Sequence, residues 1–145
     1  VAANAIPQIG TLAGTLRTAS RETWLTLEEV VHETISSLLA PLGIEYVLNY
    51  KRGVPPVVNE EVSTRIITHA VEAIGPEVLA DTLQSGGGED FSWYLEEVPG
   101  AMARLGTWSG HGPQLDLHQP TFDLDERALG VGVRLMVNLI DNALH

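Results

Sequence analysis

Cysteine is absent from all 145 residues of the chain. Disulfide bonds, thiolate zinc sites and a cysteine nucleophile are therefore excluded within it. No stretch approaches the roughly 18 unbroken apolar residues of a membrane-spanning helix. The first residues also lack a basic region followed by an apolar run, so we expect no signal peptide. These absences are consistent with a cytoplasmic protein.

Basic residues are also scarce. Lys and Arg total 8 against 19 Asp and Glu, which gives a net charge of −11. An acidic chain without a basic patch is a poor candidate for binding nucleic acid or an anionic membrane surface. Hydrophobic residues make up 44% and charged residues 19%, a composition typical of a chain with a packed core rather than of a disordered one.

The first third of the chain has the pattern of a strand, a helix and a second strand. Alternation over 9–18 predicts the first strand. Ser20 is a suitable N-cap for a helix over 21–40, in which apolar residues recur at helical spacing. Alternation over 44–51 predicts the second strand. Together these elements indicate an α+β piece.

Gly53, Pro55 and Pro56 interrupt the pattern and indicate a domain boundary. Beyond it, Asn59 is the predicted N-cap of a helix over 60–74.

The remaining chain alternates short elements with loops. We predict a short strand over 78–83, a glycine turn leading into a short helix over 89–97, and a strand over 102–107. A loop over 108–122 follows. The last predicted helix covers 126–143, with acidic residues at its start, where the helix dipole favours negative charge.

His118 lies in the loop before the last helix and is the candidate metal ligand. A histidine in such a place can bind a metal while a neighbouring acid such as Asp116 orients its second ring nitrogen. The alternative is an ordinary surface histidine, since no His-x-His, His-Glu-x-x-His or Cys-x-x-Cys spacing accompanies it.

Two further segments could bind anions. The glycine run before Glu89 exposes backbone N–H groups that can hold a carboxylate or a developing oxyanion, although a flexible turn explains the same residues. Arg17 could bind a substrate carboxylate through two parallel hydrogen bonds, although a solvated arginine at a strand end is the more common case.

The order of these segments is more specific than any one of them. The chain resembles the di-metal aminoacylase/carboxypeptidase family, in particular its hippurate hydrolase and indole-acetyl-amino-acid hydrolase branch. The segments that carry the resemblance are Ala3-Asn4-Ala5-Ile6-Pro7, Gly14-Thr15-Leu16-Arg17-Thr18, Pro55-Pro56-Val57-Val58-Asn59, Gly88-Glu89-Asp90-Phe91, Pro99-Gly100, Leu117-His118-Gln119-Pro120-Thr121-Phe122 and Asp125-Glu126.

The resemblance implies an α/β enzyme of two domains. Residues 1–54 resemble the second half of a smaller α+β lid domain, which often forms a homodimer. Residues 55–145 resemble the C-terminal part of an α/β metallohydrolase catalytic domain that holds two divalent metal ions, usually zinc. In such enzymes the metals polarise the amide carbonyl and lower the pKa of a bound water, whose proton a glutamate accepts.

The resemblance also implies roles for individual residues. His118 corresponds to the last metal-ligand histidine. Asn4 and Arg17 correspond to lid residues that hold the carboxylate end of the substrate. The residues of the glycine-rich loop beside the substrate are Gly87, Gly88 and Glu89.

Most of the family's catalytic residues do not appear in the chain. Its His-x-Cys-Gly-His-Asp metal motif is absent, and the general-base glutamate is expected upstream. We therefore expect part of an enzyme that hydrolyses N-acyl amino acids or related small amides, inactive without an N-terminal segment. The alternative is a non-catalytic dimerisation or interaction remnant of the same fold.

Overall fold

The structure is a computed structural model that describes residue 4 and residues 6–144. It divides the chain into two compact units, Val1–Arg52 and Gly53–His145. The assignment of these units to a lid and a catalytic domain remains a prediction. The α-helices are α1 (Arg21–Leu39), α2 (Glu61–Glu72), α3 (Ser92–Glu97) and α4 (Arg127–Leu144), and short 3-10 helices cover Ala40–Leu42 and Pro76–Val78.

The predicted helices over 21–40, 60–74, 89–97 and 126–143 are confirmed to within a few residues at each end. No helix of the described chain is both long and apolar enough to cross a membrane.

The first helix begins where the sequence predicts. The Ser20 hydroxyl accepts a hydrogen bond from the backbone N–H of Thr23 at 3.1 Å, which satisfies one of the otherwise unpaired N–H groups of the first turn. At the other end, the chain tightens into the 3-10 turn that contains Pro41, and Gly43 donates its N–H to the Ala40 carbonyl at 3.1 Å.

Arg52 fastens the end of the first unit to α1. Its guanidinium lies 5.2 Å from the centre of the Trp24 ring. It donates hydrogen bonds to the Leu25 carbonyl at 3.2 Å and to the Glu28 carboxylate at 3.3 Å. Each contact is worth at most about 1 kcal/mol at an exposed site. Together they fix the side chain immediately before the division between the units.

The N-cap of α2 is Glu60, so the prediction of Asn59 is wrong. The Glu60 carboxylate accepts hydrogen bonds from the backbone N–H groups of Ser63 at 2.6 Å and Val62 at 2.8 Å. Asn59 is engaged elsewhere: its amide donates to the Met102 carbonyl and accepts from the Met102 N–H, both at 2.9 Å. A side-chain amide carries one donor group and one acceptor, as a peptide does, so Asn59 pairs with Met102 as a neighbouring strand would.

Replacing Asn59 with alanine is expected to lower the stability of the chain by about 1–2 kcal/mol, because both hydrogen bonds to Met102 are lost. The melting temperature should fall by about 4–8 °C in thermal unfolding followed by circular dichroism. Asn59→Asp keeps an acceptor for the Met102 N–H and should show a smaller loss. Asn142→Ala, at an exposed position of α4, is the control and should leave the melting temperature nearly unchanged. Equal melting temperatures for Asn59→Ala and wild type would contradict the prediction.

The second unit is built on the contact between α2 and α4. Ala70 of α2 is fully buried, and Ala128 of α4 is 8% exposed. The Asn138 side chain crosses from α4 and donates to the Ala70 carbonyl at 3.1 Å. Because alanine has a small side chain, it allows the two helices to approach closely. Pro55 is also among the most deeply buried residues of the described chain.

The strands predicted over 9–18, 44–51, 78–83 and 102–107 are not formed within the described residues. A strand exists only when a neighbouring strand takes up its backbone hydrogen bonds. Alternating side chains predict which face a strand would bury, but they do not show which other segment would pair with it. Val78, the first residue of the third segment, is the last residue of the 3-10 helix Pro76–Val78, and the rest of that segment forms neither helix nor strand.

Candidate functional site

His118 occupies an unusual backbone conformation in the loop before α4. Its φ is +69°, and it is the one non-glycine residue with positive φ in the part of the chain that the structure describes. Its side chain is exposed, and a turn closed by the Phe122 N–H and the Gln119 carbonyl, at 3.0 Å, follows immediately. Residues held in sparsely populated backbone regions cluster at functional sites, so the conformation supports a role for His118.

The loop that carries His118 is closed at its base by Asp125. The Asp125 backbone N–H donates to the Thr107 carbonyl at 2.8 Å, so the two ends of the segment 108–124 are held together. The Asp125 carboxylate accepts a hydrogen bond from the backbone N–H of Arg127 at 3.0 Å and caps the start of α4. The Arg127 guanidinium also binds both carboxylate oxygens, with its Nε 2.9 Å from each. The loop is therefore anchored to the first turn of α4.

The Arg127 contacts lower the pKa of the Asp125 carboxyl from an ordinary value of 3.8 to about 2. The folded chain thus favours the ionised carboxylate, so Asp125 contributes stability that is complete above about pH 4 and is lost as pH falls towards 2.

We expect Asp125→Asn to melt below wild type at pH 6 and to match it near pH 2, because asparagine lacks the charge that the Arg127 guanidinium binds. Melting temperatures measured from pH 2 to pH 6 check this expectation. Asp81→Asn removes the same charge at an exposed position, and its melting temperature should change with pH as that of wild type does. A gap between wild type and Asp125→Asn that persists unchanged at pH 2 would show that the carboxylate charge is not the cause.

The glycine-rich loop is held by contacts on both sides. The Gly87 N–H donates to the Ser85 hydroxyl at 3.0 Å. A side chain at Gly88 would place its Cβ 3.0 Å from Cγ2 of Val54, so this glycine allows the loop to lie close to that residue. The Glu89 carbonyl accepts from the backbone N–H of Ser92 at 3.0 Å and from its buried hydroxyl at 2.6 Å. The Glu89 side chain itself is exposed.

Asn4 and Arg17 both belong to the first unit, and both are exposed. Asn4 is in a turn, and its neighbours Ala3 and Ala5 are outside the described residues. Arg17 lies in the non-helical segment before Ser20. The glycine-rich loop and His118 belong to the second unit. The predicted site residues are thus divided between the units, two in the first and four in the second.

The Glu60-Glu61 pair does not have the properties of a general base. Hydrogen bonds from the backbone N–H groups of Ser63 and Val62 hold the pKa of the Glu60 carboxyl below its ordinary value of 4.5. A general base that works near neutral pH needs a raised pKa. Glu61 is paired with Arg65 on the surface of α2. These residues stabilise the helix.

A complete metal site is not present in the described residues. No group of three His, Asp or Glu side chains there is placed to hold a metal ion. His118 offers one ligand, whereas a zinc site needs three or more from protein. The described chain therefore does not fit a metal by itself, and any metal that His118 binds must be completed by other residues.

A comparison with family models identifies the chain. The model described as Peptidase family M20/M25/M40 matches residues 4–142. The chain belongs to this family. The match confirms the resemblance to the aminoacylase/carboxypeptidase group, and an α/β fold is what the M20 family implies for the whole protein.

Curated relatives of this M20 chain include proteins named as hydrolases. It is 38% identical over 135 residues to a "Probable hydrolase" of Synechocystis sp., covering 91% of this chain and 34% of that protein. It is 31% identical over 126 residues to an "N-acetyl-L-cysteine deacetylase" of Bacillus subtilis (strain 168), covering 87% of this chain and 29% of that protein. It is 56% identical over 138 residues to a "Putative glutamate--cysteine ligase 2-3" of Rhodococcus jostii (strain RHA1), covering 94% of this chain and 17% of that protein.

The M20 chain spans between about a sixth and a third of the length of these relatives, with shares of 17% to 34%. No solved structure matches the chain. Two of these relatives are thus named as a hydrolase and a deacetylase.

The contacts of three residues were missed from the sequence. Ser92 anchors Glu89, and its signal is a serine four residues after the glycine run ends. Asp125 binds Arg127 at the start of α4, and its signal is an Asp-x-Arg sequence just before a helical pattern. Asn59 pairs with Met102, and no local pattern indicates this contact because the two residues are far apart in sequence.

Proposed function

We propose that this chain is the C-terminal portion of a metal-dependent amidohydrolase that acts on N-acyl amino acids or related small amides. The observation that carries the proposal is the family match over residues 4–142. The Bacillus subtilis relative named as an N-acetyl-L-cysteine deacetylase supports this substrate class. Hydrolysis adds one water across the amide and releases a carboxylate and an amine.

The chain contributes binding groups to this reaction. His118 supplies one ligand to a pair of divalent metal ions, with zinc the expected metal. Arg17 and Asn4 bind the carboxylate end of the substrate, and Gly87, Gly88 and Glu89 lie beside it. A metal pair held in part by His118 would supply Lewis-acid chemistry for the amide carbonyl and the attacking water. The remaining ligands and the general base come from an N-terminal segment of the same enzyme.

The proposed partners follow from this division. The N-terminal segment completes the active site, and a homodimer forms through the first unit, Val1–Arg52. The expected location is the cytoplasm. The alternative, a non-catalytic dimerisation remnant, predicts a stable oligomer of the 145-residue chain that neither binds metal nor needs a partner segment.

The name of the Rhodococcus relative does not support a ligase function for this chain. The match covers 17% of that protein, so most of it lies outside the similarity. The part of this chain that is similar to the Rhodococcus protein is the part that matches Peptidase family M20/M25/M40.

A hybrid enzyme tests the proposal. In it, residues 4–142 of this chain replace the matching segment of the Synechocystis hydrolase. We expect the hybrid enzyme with zinc to release free L-cysteine from N-acetyl-L-cysteine, or the free amino acid from another member of an N-acyl amino acid panel. The 145-residue chain alone should release none. A hybrid enzyme that is folded and metal-loaded yet inactive on the whole panel would contradict the proposed substrate class.

A further inference from the structure

The glycine-rich loop rests against a side chain from the beginning of the second unit. A Cβ at Gly88 would lie 3.0 Å from Cγ2 of Val54. Within the described chain, that methyl group is the one atom beyond the two neighbours of Gly88 that comes within 4 Å of the Cβ position. The φ of Gly88 lies outside the left-handed region. The contact with Val54, and not the backbone conformation, therefore limits which residue can replace this glycine.

Val54 is held in place by its own sequence context. It precedes a proline, and the proline ring restricts the preceding residue to extended backbone conformations. That proline, Pro55, is among the fully buried residues of the described chain, with less than 2% of its surface exposed. Valine is also branched at Cβ, so its χ1 angle is strongly restricted. The Val54 methyl group is therefore a rigid stop that cannot easily move away from the loop.

The other contacts of the loop are local. The Gly87 N–H donates to the Ser85 hydroxyl at 3.0 Å, and the Glu89 carbonyl accepts from the buried Ser92 hydroxyl at 2.6 Å. These partners lie within three residues of the groups they bind, so they determine the shape of the loop and its junction with α3. Val54 comes from a separate segment, and it limits how closely the middle of the loop lies against the second unit.

We propose that Val54 is a positioning residue, which sets the place of Gly87, Gly88 and Glu89 beside the substrate. The inference rests on the proposed function, which puts this loop beside the substrate. Val54 does not contact the substrate and acts only through Gly88. A misplacement of about 1 Å in a group that positions the substrate can cost on the order of 100-fold in rate, so one methyl group behind the loop has a measurable effect.

A complementary pair of substitutions tests the positioning role in the hybrid enzyme. Gly88→Ala adds a methyl group 3.0 Å from the Val54 methyl and must displace the loop. We expect it to lower kcat/KM for N-acetyl-L-cysteine by about 10–100-fold, mainly through KM, because the loop binds the substrate and does not react with it. The double variant Val54→Ala/Gly88→Ala removes the methyl group that the new one would meet. It should recover most of the loss, since substitutions of residues in contact are not additive.

Gly86→Ala is the matched control from the same loop. A Cβ at Gly86 would meet nothing within 4 Å, and its φ also lies outside the left-handed region. Its kcat/KM should stay within about twofold of wild type, as is usual for a substitution that makes no new contact. Wild-type kinetics for Gly88→Ala would overturn the proposal. An equal loss in Gly88→Ala and in the double variant would also overturn it, because the Val54 methyl would then not set the place of the loop.

Backbone NMR spectra of the 145-residue chain measure the contact without any activity. Val54→Ala should move the amide signals of Gly87, Gly88 and Glu89 by more than a line width, because the loop loses the group it rests against. Val58→Ala, at a valine of the same segment that is 56% exposed, is the control and should leave those signals in place. Unmoved signals in Val54→Ala would overturn the proposal even if Gly88→Ala failed to fold.

The positioning role and the proposed function fail in different ways. Moved amide signals in the chain, together with a folded hybrid enzyme that is inactive on the whole panel, would support the Val54 contact and contradict the proposed function. A hybrid enzyme that is active and is unaffected by Gly88→Ala would support the proposed function and contradict the positioning role.

Discussion

Replacing His118 with alanine in the hybrid enzyme is expected to lower kcat/KM for N-acetyl-L-cysteine by more than about 100-fold and to remove about one equivalent of bound zinc. The loss of a residue that merely supports a metal ligand already costs about 10–100-fold, so the loss of a ligand itself should exceed that range. Steady-state kinetics and elemental analysis of the purified variant measure the two effects.

Two controls separate metal binding from damage to the loop. His111→Ala removes another exposed histidine from the same loop and should leave activity and metal content near wild type. His118→Gly removes the imidazole while glycine adopts the φ of +69° without strain, so the loop keeps its shape. We expect His118→Gly to be as inactive as His118→Ala. Full metal content in either His118 variant would show that this residue is not a ligand.

Replacing Arg17 with methionine is expected to lower kcat/KM of the hybrid enzyme for N-acetyl-L-cysteine by about 10–150-fold. Hydrogen bonds to a charged group contribute about 1.5–3 kcal/mol, and each 1.4 kcal/mol is a factor of ten. Methionine keeps the length of the side chain and removes its charge. The effect should appear mainly in KM, because the carboxylate lies away from the amide that reacts.

The substrate provides the sharper control for Arg17. An N-acetyl-L-cysteine methyl ester has no free carboxylate, so wild type and Arg17→Met should cleave its amide at similar rates. Arg21→Met removes another exposed arginine four residues later and should affect neither substrate. Equal losses on the acid and on the ester would show that Arg17 does not recognise the carboxylate.

The helices could be predicted from the sequence because their signals are local. Apolar residues at helical spacing, together with Ser20 at the start, determine α1 within a few residues of its observed bounds. The last helix follows from a similar pattern. The predicted strands are not formed in the described residues, since pairing depends on a second segment that alternation does not identify. Asn59 illustrates the same limit: it has the character of a helix cap but pairs with Met102, 43 positions away.

The candidate site was predictable only in part. Composition and spacing alone left His118 indistinguishable from a surface histidine, and the resemblance to a family gave it a role. The structure adds its left-handed backbone and the closure of its loop by Asp125. Neither feature follows from a local pattern, because both depend on how residues 107–125 close into a loop. The role of Arg17 remains a prediction that rests on the resemblance.

Denaturing mass spectrometry of the protein recovered from its source cells, with an antibody against this chain, tests the central claim most directly. We predict that the 145-residue sequence is recovered with a His-x-Cys-Gly-His-Asp segment, either in one longer polypeptide or in a second polypeptide that copurifies. Recovery of a single 15.6 kDa polypeptide without such a segment would contradict the claim that this chain is part of an amidohydrolase.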